Sequence, residues 1–224
     1  GCSNINRPIL LPNNIETIGN YFMSGCSQFN LSVSLPNSLT SLGDRFMNEC
    51  ENLTIIDLNC IKNVETIGVC FLNGCKALTT ITWPSSMKVT KIGNDFLGMC
   101  QSLVSADLSS FTSLQSFGKG ILWNCKKVQH IDISGFSSNV IPATGVDGKY
   151  HFCKLIELKT MKLGAYNANL AVEIIRNHDD GSQNAKKGIV ENHGKFIVPT
   201  GTKAQWATGL QFTGDDIDKY LEEY

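Results

Sequence analysis

The stretch Ile67-Gly-Val-Cys-Phe71-Leu-Asn-Gly-Cys75-Lys-Ala-Leu78-Thr-Thr-Ile81-Thr-Trp83 decides the fold, because its pattern occurs in five copies along the chain. Successive copies of its glycine are 24, 25, 25 and 25 residues apart. Three columns of the repeat are Gly19, Gly43, Gly68, Gly93 and Gly118; Phe22, Phe46, Phe71, Phe96 and Ile121; and Cys26, Cys50, Cys75, Cys100 and Cys125. A constant period of this length is typical of a solenoid, in which each repeat forms one rung.

Each repeat contains two periodicities. The phenylalanine and the cysteine stand four residues apart, which predicts a single helical turn with both side chains on one face. The segment after the leucine alternates in polarity, which predicts a short, half-buried strand. One turn and one strand cannot bury an apolar face alone, so neighbouring repeats are expected to stack in a parallel ladder. The glycine fits a tight bend or a close approach between neighbours, where a Cβ would clash.

The pattern I/L-G-x-x-F-x-x-x-C-x-x-L-x-x-I-x-L resembles the BspA-like (Treponema-type) leucine-rich repeat, a family found in bacterial and some protozoal surface proteins. The resemblance implies an α/β repeat fold: a right-handed, curved solenoid with a parallel β-sheet on one face and short helical turns on the other. It also implies export to the cell surface and a role in binding other macromolecules rather than catalysis. It transfers no binding residue, because no ligand motif is shared across such repeats.

Two regions are predicted. Residues 1–139 form the leucine-rich repeats, starting in the middle of a repeat, and residues 140–224 form a divergent last repeat and a C-terminal cap. Within the second region, residues 158–163 restore the strand pattern, 168–176 predict a short helix, 177–187 a surface loop and 196–199 a terminal strand. The tail from Asp215 to Tyr224 carries apolar residues at helical spacing, with acidic residues near its start, and predicts a helix that covers the last apolar edge.

The beginning of the chain repeats the later pattern. Cys2 lies 24 residues before Cys26, so it is expected to belong to the cysteine column. The chain is therefore expected to be a fragment of a longer protein whose upstream repeats and export signal lie outside it. Alternatively, Cys2 is the lipid-bearing residue of a bacterial lipoprotein.

The nine cysteines follow the repeat. Seven of them are predicted to form one column of buried, reduced thiols: Cys2, Cys26, Cys50, Cys75, Cys100, Cys125 and Cys153. None shows the C-x2-C spacing of a zinc site, and neighbouring rungs would present parallel Cβ vectors that suit a disulfide poorly. A buried thiol behaves as a small apolar group. Cys60 and Cys70 lie outside the column, and a disulfide between them stays open as an alternative.

The composition limits the function classes. In 224 residues, 19 basic and 20 acidic side chains give a net charge of −1, which argues against a nucleic-acid binder, and no long apolar run predicts membrane insertion. No nucleophile-elbow, dinucleotide-binding or phosphate-loop motif appears, so neither an enzyme nor a cofactor is predicted. His178, Asp179 and Asp180 with His193 could be imagined as a metal cluster, but their polar, glycine-containing surroundings favour an exposed loop, and no metal site is predicted.

The strand face that points away from the core is the predicted contact surface. Alternation places two outward columns on it: Asp57, Thr82, Asp107, Asp132 and Lys162, with Ser34 ahead of them, and Ile55, Thr80, Ser105, His130 and Thr160. Asp107 and Asp132 would be neighbours on adjacent rungs, and like charges at that spacing repel unless a cation or a basic partner is present. The alternative is a hydrated polar surface without a ligand. The candidate binding residues are Asp57, Thr82, Asp107, His130, Asp132 and Lys162.

The leading hypothesis for function is a non-enzymatic, adhesin-like module at the cell surface or in the extracellular space. Its partners would be host or matrix proteins or glycans, which dock on the outward strand face. The alternative is a structural spacer that projects another part of a larger surface protein and has no ligand of its own. An enzyme is disfavoured, because a catalytic function must be argued from a site and the sequence shows none.

Overall fold

A computed structural model describes residue 5 and residues 7–143, 151–176 and 184–224. Its strands are β1 (Ile9–Leu10), β2 (Thr17–Ile18), β3 (Val33–Ser34), β4 (Ser41–Leu42), β5 (Ile55–Asp57), β6 (Thr66–Ile67), β7 (Thr80–Thr82), β8 (Lys91–Ile92), β9 (Ser105–Asp107), β10 (Ser116–Phe117), β11 (His130–Ile133), β12 (Ile141–Pro142), β13 (Thr160–Leu163), β14 (Lys195–Val198) and β15 (Leu221–Glu223). Its helices are a 3-10 helix at Asn59–Ile61 and α1 (Ala168–Ile175), α2 (Ala185–Glu191), α3 (Lys203–Gly209) and α4 (Asp216–Tyr220). The fold is the predicted solenoid of parallel sheets with short helices.

One sheet runs through the repeats without interruption. Its six strands pair in the order β12-β10-β8-β6-β4-β2, and five of them, β2 to β10, are the dipeptides that directly precede the repeating glycine. We call these six strands the glycine ladder. The sequence predicts a bend at this place, and the structure adds a second parallel ladder to the one expected from the alternating segments.

The glycines of this ladder confirm the predicted close approach of neighbouring backbones. A Cβ placed on Gly68 would lie 2.5 Å from the carbonyl carbon of Gly43, and one on Gly93 would lie 2.5 Å from the amide nitrogen of Val69. Real Cβ atoms do not come so close to backbone, so any other residue would force the rungs apart. The glycine column therefore sets the spacing of the rungs.

The alternating segments form a second ladder, which we call the outer ladder, and it is divided into three sheets. These are β1-β3, β5-β7 and a five-stranded sheet in the order β15-β14-β13-β11-β9. All of the pairs are parallel. The outer ladder is thus interrupted between β3 and β5 and again between β7 and β9.

The segment between the glycine and the cysteine is a run of turns and not the single helical turn that the spacing predicts. Residues with positive φ recur in it, such as Cys70 (57°) and Leu72 (51°). Their N–H groups point to opposite neighbours: Leu72 donates to the carbonyl of Phe46 in the preceding rung (3.0 Å), and Cys70 donates to that of Asn94 in the following one (2.7 Å). Hydrogen bonds between rungs replace the bonds that a helix would make within one rung.

The core lies between the two ladders, and a stack of rings runs through it. The centroids of Phe22, Phe46, Phe71 and Phe96 follow one another at 5.4, 5.3 and 5.5 Å. This spacing lies in the range in which aromatic pairs stabilise a fold beyond the area that they bury. The phenylalanine column is therefore a continuous apolar support for the rungs.

The cysteine column lies beside the rings, and its thiols donate hydrogen bonds. The sulfurs of Cys50, Cys75, Cys100 and Cys125 donate to the carbonyls of Met23, Met47, Leu72 and Leu97 at 3.2, 3.2, 3.2 and 3.0 Å. Burial raises the pKa of Cys50 to about 12 and also raises the pKa of Cys75, with a smaller effect from the adjacent column thiol in each case. The thiols stay protonated and so can keep donating. No disulfide joins Cys60 to Cys70.

Cys153 is not a member of this column, so that prediction is wrong. β11 pairs with β13 so that His130 lies opposite Thr160, which makes the separation of the two rungs 30 residues rather than the 28 assumed. The same offset places Leu155, and not Cys153, next to Cys125. Both residues are buried, but an insertion between the rungs shifts the register by two positions. Cys2 lies outside the described residues.

The C-terminal region confirms one predicted helix and corrects a predicted loop. The helix α1 (Ala168–Ile175) begins after Asn167, whose side chain accepts a hydrogen bond from Leu170 N–H at 3.0 Å. Part of the predicted loop over 177–187 is helical, because the Asn184 side chain caps α2 by accepting from Lys187 N–H at 2.8 Å. Residues 177–183, which include His178, Asp179 and Asp180, lie outside the described residues.

The tail is half helix and half strand. The predicted terminal strand is confirmed as β14, but the predicted helix over 215–224 ends at Tyr220 after five residues. Leu221 then pairs with Phe196, and β15 continues the five-stranded sheet. Alternation explains the correction, since Leu221 is buried while Glu222 is exposed, which suits a strand as well as a helix.

Candidate binding face

Four of the six predicted binding residues lie together on the five-stranded sheet. β11 places His130 between Ser105 and Thr160, and it places Asp132 between Asp107 and Lys162. The predicted juxtaposition of Asp107 and Asp132 is therefore confirmed. The side chains of His130, Asp107, Asp132 and Lys162 are exposed or half-buried on the same face.

The face extends further than the sequence analysis carried it. Thr160 lies opposite Lys195, and Lys162 lies opposite Ile197, which in turn lies opposite Glu222. These additions were missed because the tail was taken for a helix. The alternation from Leu221 to Tyr224 is the signal that could have found them. We call the outward residues of β9, β11, β13, β14 and β15 the binding face.

The repeated aspartates have a structural role in the outer ladder. The Oδ1 atom of each accepts the N–H two residues later, in Asn59 after Asp57 (3.0 Å), Ser109 after Asp107 (2.9 Å) and Ser134 after Asp132 (2.8 Å). This bond forms a turn at the end of the strand. The bond accounts for an acceptor at this position of the repeat, although it does not require a charge.

Opposite charges alternate along the binding face. The Lys162 ammonium lies 3.8 Å from Asp132 Oδ2 and 4.2 Å from the ring centre of Tyr224, and Lys195 pairs with Glu222 at 3.1 Å. The repulsion expected between Asp107 and Asp132 is thus met in part by a lysine on the next strand. Each of these pairs is partly exposed, so its contribution to stability is small and its charges remain accessible to a partner.

The other two predicted residues lie apart from this face. Asp57 and Thr82 are paired with each other across β5 and β7, in the two-stranded sheet. Ser34 belongs to the sheet of β1 and β3, where it lies opposite Leu10. The outward column is therefore not one continuous row, since it is divided at the two interruptions of the outer ladder.

Each interruption is an opening in the surface. The N-terminal opening, between β3 and β5, is a cavity of about 430 Å³ lined by Leu31, Val33, Ile55 and Asp57 among others. The Trp83 opening, between β7 and β9, has about 300 Å³ and is lined by Ile81, Thr82, Trp83, Pro84, Ser85, Asp107, Ser109 and Ser110.

Both openings have a cause in the sequence. Six steps separate Phe29 from Leu35, whereas five separate Leu53 from Leu58, so one extra residue puts β3 out of step with β5. At the second opening, Trp83 takes the place that Leu58 holds in the preceding rung. An indole is much larger than an isobutyl group, and the flanking strands do not pair beside it.

In the part of the chain that the structure describes, no group of three or more His, Cys, Asp and Glu side chains is arranged to hold a metal ion. None of the described helices is both long enough and apolar enough to cross a membrane.

Comparison with known proteins follows the same lines. The family model for the BspA type leucine rich repeat region matches residues 1–129 in six copies. A leucine rich repeat protein of T. pallidum has a similar structure, with a TM-score of 0.53, 20% identity and 84% of each chain covered. No curated protein sequence matches the chain.

Two further solved structures are more distant. A leucine rich cell surface protein of Faecalibacterium prausnitzii A2-165 has 19% identity and a TM-score of 0.41, over 96% of this chain and 59% of that one. A leucine-rich repeat protein of Bacteroides ovatus has 21% identity and a TM-score of 0.39, over 85% and 53%. At this identity the T. pallidum protein supports the fold alone.

Proposed function

Because this chain belongs to the BspA-type leucine-rich repeat family, we propose that it is a non-enzymatic recognition module that binds a protein through the binding face. Leucine-rich repeat domains generally mediate protein interactions. The adhesin-like role, the extracellular location and a host or matrix protein as the partner are the specific content of the proposal. A solenoid suits this role because its stacked strands present an extended surface.

The observation that carries the proposal is the register of exposed charges on the five-stranded sheet. Asp107, Asp132 and Lys162 lie side by side on successive strands, and Glu222 lies further along the same row. Such a row of alternating sign can be matched by complementary charges on a partner, which gives specificity and speeds association. A protein surface offers such charges at fixed positions.

The test measures binding of the whole chain to immobilised matrix proteins, namely collagen and laminin, with heparin as a polysaccharide arm. The informative variant is D107N/D132N, because the amide oxygen of asparagine can still accept the turn hydrogen bond while both charges are removed. We expect the affinity for a bound matrix protein to fall by about tenfold or more. Reversal to lysine would disturb the turns as well as the charges.

The matched control is E16Q/E65Q, which removes two exposed carboxylates beside the glycine ladder. It should leave the affinity within about twofold. Saturable binding that D107N/D132N and E16Q/E65Q weaken equally would contradict the proposed face. Absence of saturable binding to every immobilised protein would favour the spacer function, and binding to heparin alone would favour a glycan. Cleavage of the chain by protease added to intact cells tests the location.

A further inference from the structure

The Trp83 opening has a chemical character that neither the repeat pattern nor the binding face accounts for. β7 and β9 belong to separate sheets, so among the described residues no strand pairing closes the gap between them. Beyond the gap the two rungs meet again, where Met87 N–H donates to the carbonyl of Ser110 at 3.1 Å. The opening is therefore a bounded cavity in the outer ladder.

One wall of the cavity is a rigid aromatic side chain. The indole of Trp83 stacks on Phe71 and Phe96 at centroid distances of 6.2 and 6.1 Å and meets the edge of Phe111 at 5.2 Å. Trp83 is nevertheless half-buried rather than buried, and it lines the cavity. A partly exposed aromatic surface held by three rings is preorganised for contact with an apolar patch of a ligand.

The opposite wall offers hydrogen-bonding groups. Asp107 uses its Oδ1 atom to accept the N–H and the hydroxyl of Ser109, at 2.9 and 2.6 Å, and Oδ2 accepts no hydrogen bond among the described residues. The hydroxyl oxygen of Ser110 is buried and likewise has no partner among the described residues. A buried hydroxyl without a hydrogen bond is costly, so it indicates that a polar atom from outside the chain belongs there.

We propose that the Trp83 opening binds one neutral pyranose sugar unit. Such a ring has an apolar C–H surface that can lie on the indole, and it has hydroxyls that can donate to Asp107 and exchange hydrogen bonds with Ser110. The volume of about 300 Å³ lies at the lower end of the range for ligand pockets, which suits one ring rather than a longer ligand. Asp107 is the charged side chain of the lining, so an acidic sugar is disfavoured.

The N-terminal opening shows that a gap in the ladder alone does not create this site. Its lining contains no aromatic ring, and Cys60 occupies there the position that Ser110 has at the Trp83 opening. The two openings thus share a geometry but differ in chemistry. This inference does not depend on the proposed function, since it requires no macromolecular partner and concerns a different part of the outer ladder.

The test is ligand-observed NMR titration of the whole chain with the methyl β-glycosides of glucose, galactose and N-acetylglucosamine, at up to about 50 mM. We expect saturable binding of at least one glycoside. The corresponding β-linked disaccharides distinguish the sources of the sugar. Binding as tight as that of the glycoside indicates the end of a glycan chain, and binding about tenfold weaker indicates a free sugar.

Two variants locate the site, and a third is the control. W83L restores the residue type of the neighbouring rungs and should weaken binding by about tenfold or more, and S110A should weaken it about threefold or more. C60A changes the equivalent position of the N-terminal opening and should leave the dissociation constant unchanged. Circular dichroism verifies the fold of each variant, and S110A remains decisive if W83L does not fold. The inference is overturned if no glycoside saturates, or if S110A binds as tightly as the unmodified chain.

Discussion

The glycine ladder and the outer ladder are built from the same repeats, yet one is continuous and the other is interrupted twice. In the glycine ladder, backbone meets backbone, because glycine carries no side chain and its neighbour fills the space of a Cβ. In the outer ladder, side chains stand between the rungs and the core, so an extra residue or an indole changes the local spacing. The contrast shows that one ladder holds the rungs together while the other can vary.

This difference suits a binding protein. The continuous ladder keeps the rungs in register even where the outer strands do not pair. Substitutions in the outer ladder can therefore reshape the surface without loss of the fold. The openings beside Ile55 and Trp83 are the two places where this has happened.

The largest test of the contrast is an added methyl group in the glycine ladder. In Gly68→Ala the new Cβ would lie 2.5 Å from the carbonyl carbon of Gly43, so the rungs must separate. We expect the free energy of unfolding to fall by about 3 kcal/mol, as for severe overpacking of a core. Urea denaturation followed by circular dichroism measures the change.

The same chain supplies the control. A Cβ on Gly19 would have no atom within 4 Å, so Gly19→Ala should change the free energy of unfolding by less than about 0.5 kcal/mol. Equal losses for the two variants would show that glycine is needed for its backbone freedom and not for the close approach of rungs.

A smaller effect is expected at the end of the ring column between the ladders, where a histidine follows the phenylalanines. His151 is buried against Phe117 at a centroid distance of 5.0 Å, and its Nε2 atom lies 2.7 Å from the carbonyl oxygen of Ala143. Burial lowers the pKa of His151, and the nearby Glu173 and Arg176 on α1 act in opposite directions. The imidazole is therefore neutral in the folded protein.

The unfolded chain binds a proton on this residue near its ordinary pKa of 6.5, whereas the folded chain resists it. The stability from His151 is thus present above that pH and is lost as the pH falls below it, with a slope of at most about 1.4 kcal/mol per pH unit. Urea denaturation between pH 7.5 and 5 measures the slope. His151→Phe restores the ring of the column and should flatten it, and an unchanged slope would assign the acid sensitivity to other groups.

How much could be predicted from the sequence follows the same division between the ladders. The glycine, phenylalanine and cysteine columns occur at a constant period, so the solenoid and the contact at glycine could be derived. The turns at Cys70 and Leu72 could not, because the spacing of Phe71 and Cys75 fits a helical turn equally well. The hydrogen bonds to neighbouring rungs decide between the two, and they exist only after stacking.

The candidate site was predictable in part for the same reason. The pairing of Asp107 with Asp132 follows from the period alone. The extension of the face onto β15 depends on the contact of Leu221 with Phe196, which are far apart in sequence. The register of Cys153 failed because an insertion precedes it, and no local signal gives its effective length.

The smallest test separates charge from turn formation in the outer ladder. Asp107→Ala removes the acceptor of the two hydrogen bonds from Ser109 and should lower the free energy of unfolding by about 1 kcal/mol. Asp107→Asn keeps an oxygen at that position and should cost less than about 0.5 kcal/mol. Urea denaturation of the two variants compares them. If asparagine is as costly as alanine, the negative charge itself stabilises the sheet, and the aspartates of the binding face would serve the fold rather than a partner.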